Sequence, residues 1–321
     1  MESTDCTTLS QTSFDALGPE VRTLQTASGR TVNYIDEGEP EWQPLVFLGG
    51  AGTTVRAFRL LEFARTLREE LGVRIISVER NGLGGTAFDP AVGHEEYADD
   101  VWSVLDSLAV ENVSVVAISG GGPYAAWLAA ARPDRVRSLH LACAYSDKLA
   151  GAQVTFNVGQ IAANPVTWWT FPPESSVHRI PGFADSVIEE AVRGMFARGR
   201  DTPPDGLQHA FDLYQEVVLP DLSTMPTPSF LYWGADDALV PQAHMDRWRS
   251  WLPNVACERV YEGEGHDVQY RHWDQILVDV SFLGAREIVS AHGETLLATP
   301  QRAAELRAAG AMAGMAAWST D

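Results

Sequence analysis

The chain has 321 residues, 45% of them hydrophobic, enough to bury one substantial core, and a formal net charge of -20 from 43 acidic against 23 basic residues. That excess of negative charge repels phosphate backbones and anionic membrane surfaces, so neither nucleic acid nor membrane is an expected partner. Cys6, Cys143 and Cys257 show no C-x-x-C pair and no His/Cys ligand spacing, which argues against a disulfide framework and against a structural metal.

Residues 1–20 are polar, with neither a basic leader nor an apolar run, and are expected to form a flexible N-terminal arm. No later segment has 18 consecutive apolar residues, so a cytoplasmic protein is expected. Two antiparallel strands are predicted near 21–26 and 31–36, then a buried strand from Leu45 to Leu48 that ends in glycines. An amphipathic stretch near 56–70 leads to a second buried strand at 73–80. Tyr97, Val101, Val104, Leu105 and Leu108 recur at helical spacing and predict a helix over about 94–109. A third strand, 113–119, runs into glycines and an alanine-rich helix that Pro133 stops, and a fourth parallel strand follows at 136–144.

The rhythm breaks at 146–223, where prolines, a helical stretch near 184–199 and the aromatics Trp168, Trp169 and Phe171 suggest an inserted cap. It resumes with a strand at 229–237, a helix near 242–251, a strand within 256–266 and a helix near 270–282. The alternation predicts an α/β fold, a mostly parallel central sheet with helices on both faces. Its core is expected to be discontinuous, 21–145 and 224–283, with an alanine-rich helical extension over 284–321 that includes a helix near 299–316.

At Ala117-Ile118-Ser119-Gly120-Gly121 a buried strand meets a helix through a turn with small residues two positions either side of the serine. The pattern resembles the nucleophile elbow of the α/β-hydrolase superfamily, with Ala117 where the first glycine is usual. A phosphate-binding turn is the competing reading, but there is no G-x-G-x-x-G, no Walker lysine and no acidic residue at ribose spacing. A serine nucleophile needs a histidine to take its proton and an acid to orient that histidine. The segment Gly234-Ala235-Asp236-Asp237-Ala238-Leu239-Val240-Pro241 resembles the superfamily's G-x-x-D-x-x-V-P acid loop. Its spacing selects Asp237 over Asp236. Of eight histidines, His266 alone lies just beyond the last core strand, in a Gly-His pair that resembles the base loop. The order Ser119, Asp237, His266 is the order that this resemblance implies.

The resemblance also implies an oxyanion hole made by two backbone N–H groups, those of Gly120 and Ala51. Ala51 lies in Leu48-Gly49-Gly50-Ala51, which is similar to the superfamily's His-Gly-x-x loop with Gly49 in place of the histidine. Glu79-Arg80-Asn81-Gly82-Leu83-Gly84-Gly85-Thr86 resembles the D-R-x-G-x-G-x-S segment, read here as a mark of the fold without chemistry of its own. The expectation is a serine hydrolase acting on a small-to-medium apolar ester or lactone through an acyl-Ser119, with no metal or organic cofactor. Trp168, Trp169 and Phe171 either line an apolar substrate surface or fix the cap to the body. The same three residues also serve C–C bond hydrolysis, or a lyase, transferase or cyclase reaction, and a non-catalytic small-ligand receptor is the reading from another class. The partner expected is a small-molecule substrate, and a homo-oligomer is compatible with the chain.

Overall fold

The structure, a computed structural model, describes residues 5–9, 19–148, 178 and 204–316. Most of the expected cap, including Trp168, Trp169 and Phe171, lies outside the described residues. The central sheet has eight strands in the order β2-β3-β5-β4-β6-β7-β8-β9. They are β2 (Arg22–Gln25), β3 (Thr31–Glu37), β4 (Gln43–Leu48), β5 (Val73–Val78), β6 (Val113–Ile118), β7 (Val136–Ala142), β8 (Ser229–Gly234) and β9 (Val255–Tyr261). Only the pairings of β3 with β2 and β5 are antiparallel; every pairing from β5 to β9 is parallel. This is the expected mostly parallel sheet.

Every residue of β5, β6 and β8 is buried, because helices cover both faces, and the sequence therefore reads as continuous apolar runs. Strand β9 lies at the sheet edge and alternates half-buried with exposed residues. The covering helices include α1 (Arg65–Glu70), α2 (His94–Ser107), α3 (Gly122–Ala131), α4 (Asp205–Gln215), α5 (Gln242–Trp251), α6 (Val268–Arg271) and α7 (Trp273–Phe282). The stretch expected to be one amphipathic helix near 56–70 is a 3-10 helix, Val55–Ala64, that passes into α1. None of the helices among the described residues is long and apolar enough to cross a membrane.

Both chain ends depart from expectation. Cys6–Leu9 is a strand, β1, rather than part of a flexible arm, and the described residues 284–316 are not a purely helical extension. It holds strands β10 (Glu287–Ala291), β11 (Glu294–Ala298) and β12 (Met312–Ala313), with helix α8 confined to Pro300–Ala308. The four strands form a second sheet in the order β1-β11-β10-β12. A two-residue turn explains the hairpin. Ala291 pairs with Glu294, and His292 and Gly293 both have positive φ, 53° and 77°, as a type I′ turn requires. Alanine content suggested a helix here, but that local turn and the pairing with β1 override a weak propensity.

A buried polar chain crosses the sheet and joins the two sheets. Ser114 and Ser138 share a hydrogen bond of 2.8 Å, and His140 Nε2 lies 2.9 Å from Ser138. His140 Nδ1 is 2.9 Å from the Tyr232 hydroxyl, which donates to Asp279 Oδ2 at 3.0 Å. Since the Tyr232 proton is committed to Asp279, its oxygen accepts from Nδ1–H and His140 is the neutral Nδ1 tautomer. Arg259 grips Asp279 with two bonds of 2.8 and 2.9 Å, and Gln275 links Asp279 to the backbone N–H of Ile288 in β10.

Asp279 is the hub of this chain, so Asp279→Ala leaves the largely buried Arg259 without its carboxylate. A loss of about 3 kcal/mol is expected from breaking such a pair, read as a lower urea midpoint. Burial, followed by nearby positive charge, lowers the pKa of His140 to about 3 and that of His94 to about 4, while burial lowers His244 to about 4 against the pull of Asp147 and Asp237. Below pH ~6.5 the unfolded chain takes up protons that these folded histidines refuse, so stability falls by up to ~1.4 kcal/mol per pH unit for each, until the folded values are reached. The urea midpoint is expected to be lower at pH 5 than at pH 7; equal midpoints contradict the neutral assignment.

Candidate active site

The buried strand β6 delivers Ser119 in a left-handed backbone conformation, φ 50°, directly before α3. The glycines that follow are needed for close approach: a methyl group on Gly121 would lie 2.5 Å from the Leu48 carbonyl, and one on Gly122 2.0 Å from that of Tyr145. No side chain fits at either place. Ser119 Oγ thus points out of the turn, 3.0 Å from His266 Nε2. His266 Nδ1 lies 2.8 Å from Asp237 Oδ2, while Oδ1 of that carboxylate accepts the backbone N–H groups of Leu239 and Val240, each at 2.9 Å.

The two carboxylates at the end of β8 are separated by environment. The Asp237 side chain is 0% exposed, whereas Asp236 is exposed and its backbone N–H is tied to the Glu264 carbonyl. Burial pushes the Asp237 pKa up, but the hydrogen bond and charge of His266 and the N–H of Val240 outweigh it and hold the carboxyl below its usual value. Asp237 is therefore ionised beside the imidazole. The loop carrying His266 is braced by His272, which stacks on Tyr261 with ring centroids 3.5 Å apart and bonds Glu264 at 3.0 Å. Met225 and Trp233 are buried in the core.

The turn after β4 brings Ala51 to the elbow. Arg80, at the start of the segment after β5, donates to the Gly50 carbonyl, and Thr53 adds its hydroxyl to the same oxygen at 2.7 Å. In a planar trans peptide the carbonyl and the next N–H point in opposite directions, so holding the Gly50 oxygen aims the Ala51 N–H the other way, toward Gly120. A methyl group built on Gly120 would lie 2.9 Å from Ala51 N. The replacement of histidine by Gly49 also has a local cause, because a Cβ there would meet the Thr53 hydroxyl at 2.5 Å. Ala51 and Gly120 are thus brought together beside Ser119.

Three more residues reach this place without a signal that sequence reasoning used. Arg80 fixes the loop although its segment was read as free of chemistry. Tyr214, on α4 in the stretch assigned to the cap, accepts a hydrogen bond from Arg80 at 3.2 Å; its only sequence mark is an aromatic spacing with Phe211. Cys143, buried and at φ 44°, places its sulfur with Asp237 and His266 so that all three offer ligand atoms within 4.8 Å. Burial, then the charge of Asp237, raises this thiol's pKa well above its ordinary value, so it stays protonated and hydrogen-bonds the carboxylate. Of the described residues this is the group that could share a cation, and its ligand atoms already bond one another.

Residues 43–272 match the alpha/beta hydrolase fold family. The chain belongs to that family. This alpha/beta hydrolase is similar over 208 residues, 28% identical, to "Uncharacterized hydrolase YcgS" of Bacillus subtilis (strain 168), covering 57% of this chain and 72% of that one. It is 24% identical over 274 residues to a 2-hydroxymuconate semialdehyde hydrolase of Pseudomonas putida, covering 79% and 90%. Among solved structures, an alpha/beta hydrolase fold protein from Nakamurella multipartita superposes with a TM-score of 0.64 at 20% identity, over 82% of this chain and 98% of its own.

If Asp237 orients His266, then Asp237→Asn slows labelling of Ser119 by a fluorophosphonate on the order of a thousandfold. Asp236→Asn is expected to change the labelling rate less than about twofold, since an exposed carboxylate without a hydrogen bond to the imidazole has little to lose. Equal effects of the two substitutions contradict the assignment.

Proposed function

We propose that this alpha/beta hydrolase cleaves a small-to-medium apolar ester or lactone through an acyl-enzyme on Ser119. The observation that carries the reading is the continuous hydrogen-bonded chain from Ser119 Oγ through His266 to a buried, ionised Asp237. In this mechanism His266 Nε2 takes the Ser119 proton as Oγ attacks the carbonyl carbon, and the N–H groups of Ala51 and Gly120 receive the negative oxygen. The alkoxide leaving group then takes the proton back from His266, and a water activated by the same nitrogen releases the acid. Asp237 stays ionised and fixes the imidazole with Nε2 toward Ser119.

A second reading keeps the same three residues and cleaves a carbon–carbon bond. It is supported by the relative named 2-hydroxymuconate semialdehyde hydrolase, of which this chain covers 90%. The two readings separate by substrate. A series of p-nitrophenyl esters of graded acyl length is expected to be hydrolysed by the wild type, with at least about a thousandfold loss in Ser119→Ala. Turnover that survives the substitution overturns the acyl-enzyme reading, and cleavage of 2-hydroxymuconate semialdehyde with no ester turnover favours the second.

A further inference from the structure

The residue after Ser119 is a glycine, and the space its side chain would take is filled by the end of Tyr214. A methyl group on Gly120 would lie 2.6 Å from the Tyr214 hydroxyl oxygen and 2.9 Å from Ala51 N. The phenol therefore stands beside both N–H groups assigned to the oxyanion. It arrives there from α4, an element remote in sequence, and is itself buried.

Its protons can be counted. Arg80 only donates, so the Tyr214 oxygen is the acceptor of the 3.2 Å bond between them. Tyr124 packs edge-on against Tyr214, and Arg80 sits over the Tyr124 ring, 5.2 Å from its centroid. Among the described residues no hydrogen bond spends the Tyr214 proton, and its oxygen faces the place of a Gly120 side chain.

The charge behind this hydroxyl is unusual. Arg80 is buried, and its hydrogen bonds go to neutral oxygens: the carbonyls of Gly50 and Thr53, the Thr53 hydroxyl and Tyr214. A buried guanidinium that spends its donors on neutral groups leaves a positive field for whatever anion forms nearby. Burial at the same time raises the Tyr214 pKa, more than Arg80 lowers it, so the phenol is a donor and not a phenolate.

We propose that the Tyr214 hydroxyl is a third donor to the oxyanion formed on Ser119, polarised by Arg80. The inference rests on the acyl-enzyme reading above. As Ser119 Oγ bonds to the carbonyl carbon, the carbonyl pair moves to oxygen and the serine proton goes to His266. Tyr214 shares its proton with that oxygen without transferring it, and the bond relaxes when the carbonyl re-forms. Gly120 is then the consequence of a donor placed where a side chain would stand.

The test is Tyr214→Phe, which keeps the ring that packs edge-on against Tyr124, Tyr145 and Phe211. The expected result is a kcat lower by about 10- to 100-fold with KM within about twofold, and an inhibition constant for a trifluoromethyl ketone raised by the same factor. That ketone forms an oxyanion on serine, so its affinity reads the donor directly. Unchanged kcat, a loss confined to KM, or unchanged ketone affinity overturns the proposal. Replacing Tyr214 with 3-fluorotyrosine, a more acidic donor of nearly the same shape, is expected to tighten ketone binding, and no change there also overturns it. Fluorophosphonate labelling of both proteins with equal ketone affinity sinks the Tyr214 role alone. A wild type that forms neither adduct sinks the acyl-enzyme reading with it.

Discussion

Ser119 is held in a left-handed conformation that costs an ordinary residue of order 1 kcal/mol or more, and the surrounding structure leaves it no alternative. Strand β6 is locked between β4 and β7, and the Ser119 carbonyl accepts the Tyr145 N–H at 2.8 Å on the far side of the turn. The glycines after it let α3 begin in contact with the end of β4 and with the Tyr145 carbonyl. That contact sets the distance between Ser119 and the Ala51 loop, so both are positioned by one act of packing. The imidazole is then brought in from β9 and its acid from β8, two neighbouring parallel strands whose loops touch: a Cβ on Gly234 would lie 2.3 Å from the Gly265 carbonyl.

Behind the site the sheet is less apolar than its continuous hydrophobic runs suggest. Ser114, Ser138, His140, Tyr232 and Asp279 are all buried, and each is accounted for by a neighbour in one chain of hydrogen bonds. A half-satisfied network would cost more than a purely apolar core. Completed by Arg259 and Gln275, it ties α7, the edge strand β9 and the second sheet to the interior, and so stiffens the side of the molecule from which His266 is presented.

What the sequence revealed follows from how local each constraint is. Ser119 was legible because strand, tight turn and helix fall within about ten residues, and Asp237 because a G-x-x-D-x-x-V-P spacing encodes its own N–H partners, Leu239 and Val240. His266 followed from chain order and a Gly-His pair. Arg80 and Tyr214 were invisible by the same logic: they meet across 134 positions, and neither carries a local pattern that announces the other. Cys143 looked like an unremarkable thiol until the fold set it against Asp237. Strand β1 escaped notice because the partner that makes it a strand lies at the other end of the chain.

That partnership has a consequence for how the molecule is completed. Cys6 pairs with Ala298, so β1 emerges during synthesis well before β11 exists. At about 5–20 residues per second the wait is on the order of tens of seconds, long compared with the folding of a typical domain. The last strand of the central sheet, β9, also emerges before β11, so that sheet can close while the first strand has nothing to join. The second sheet therefore joins segments from far apart in the chain, and β1 has no strand to pair with until β11 is made.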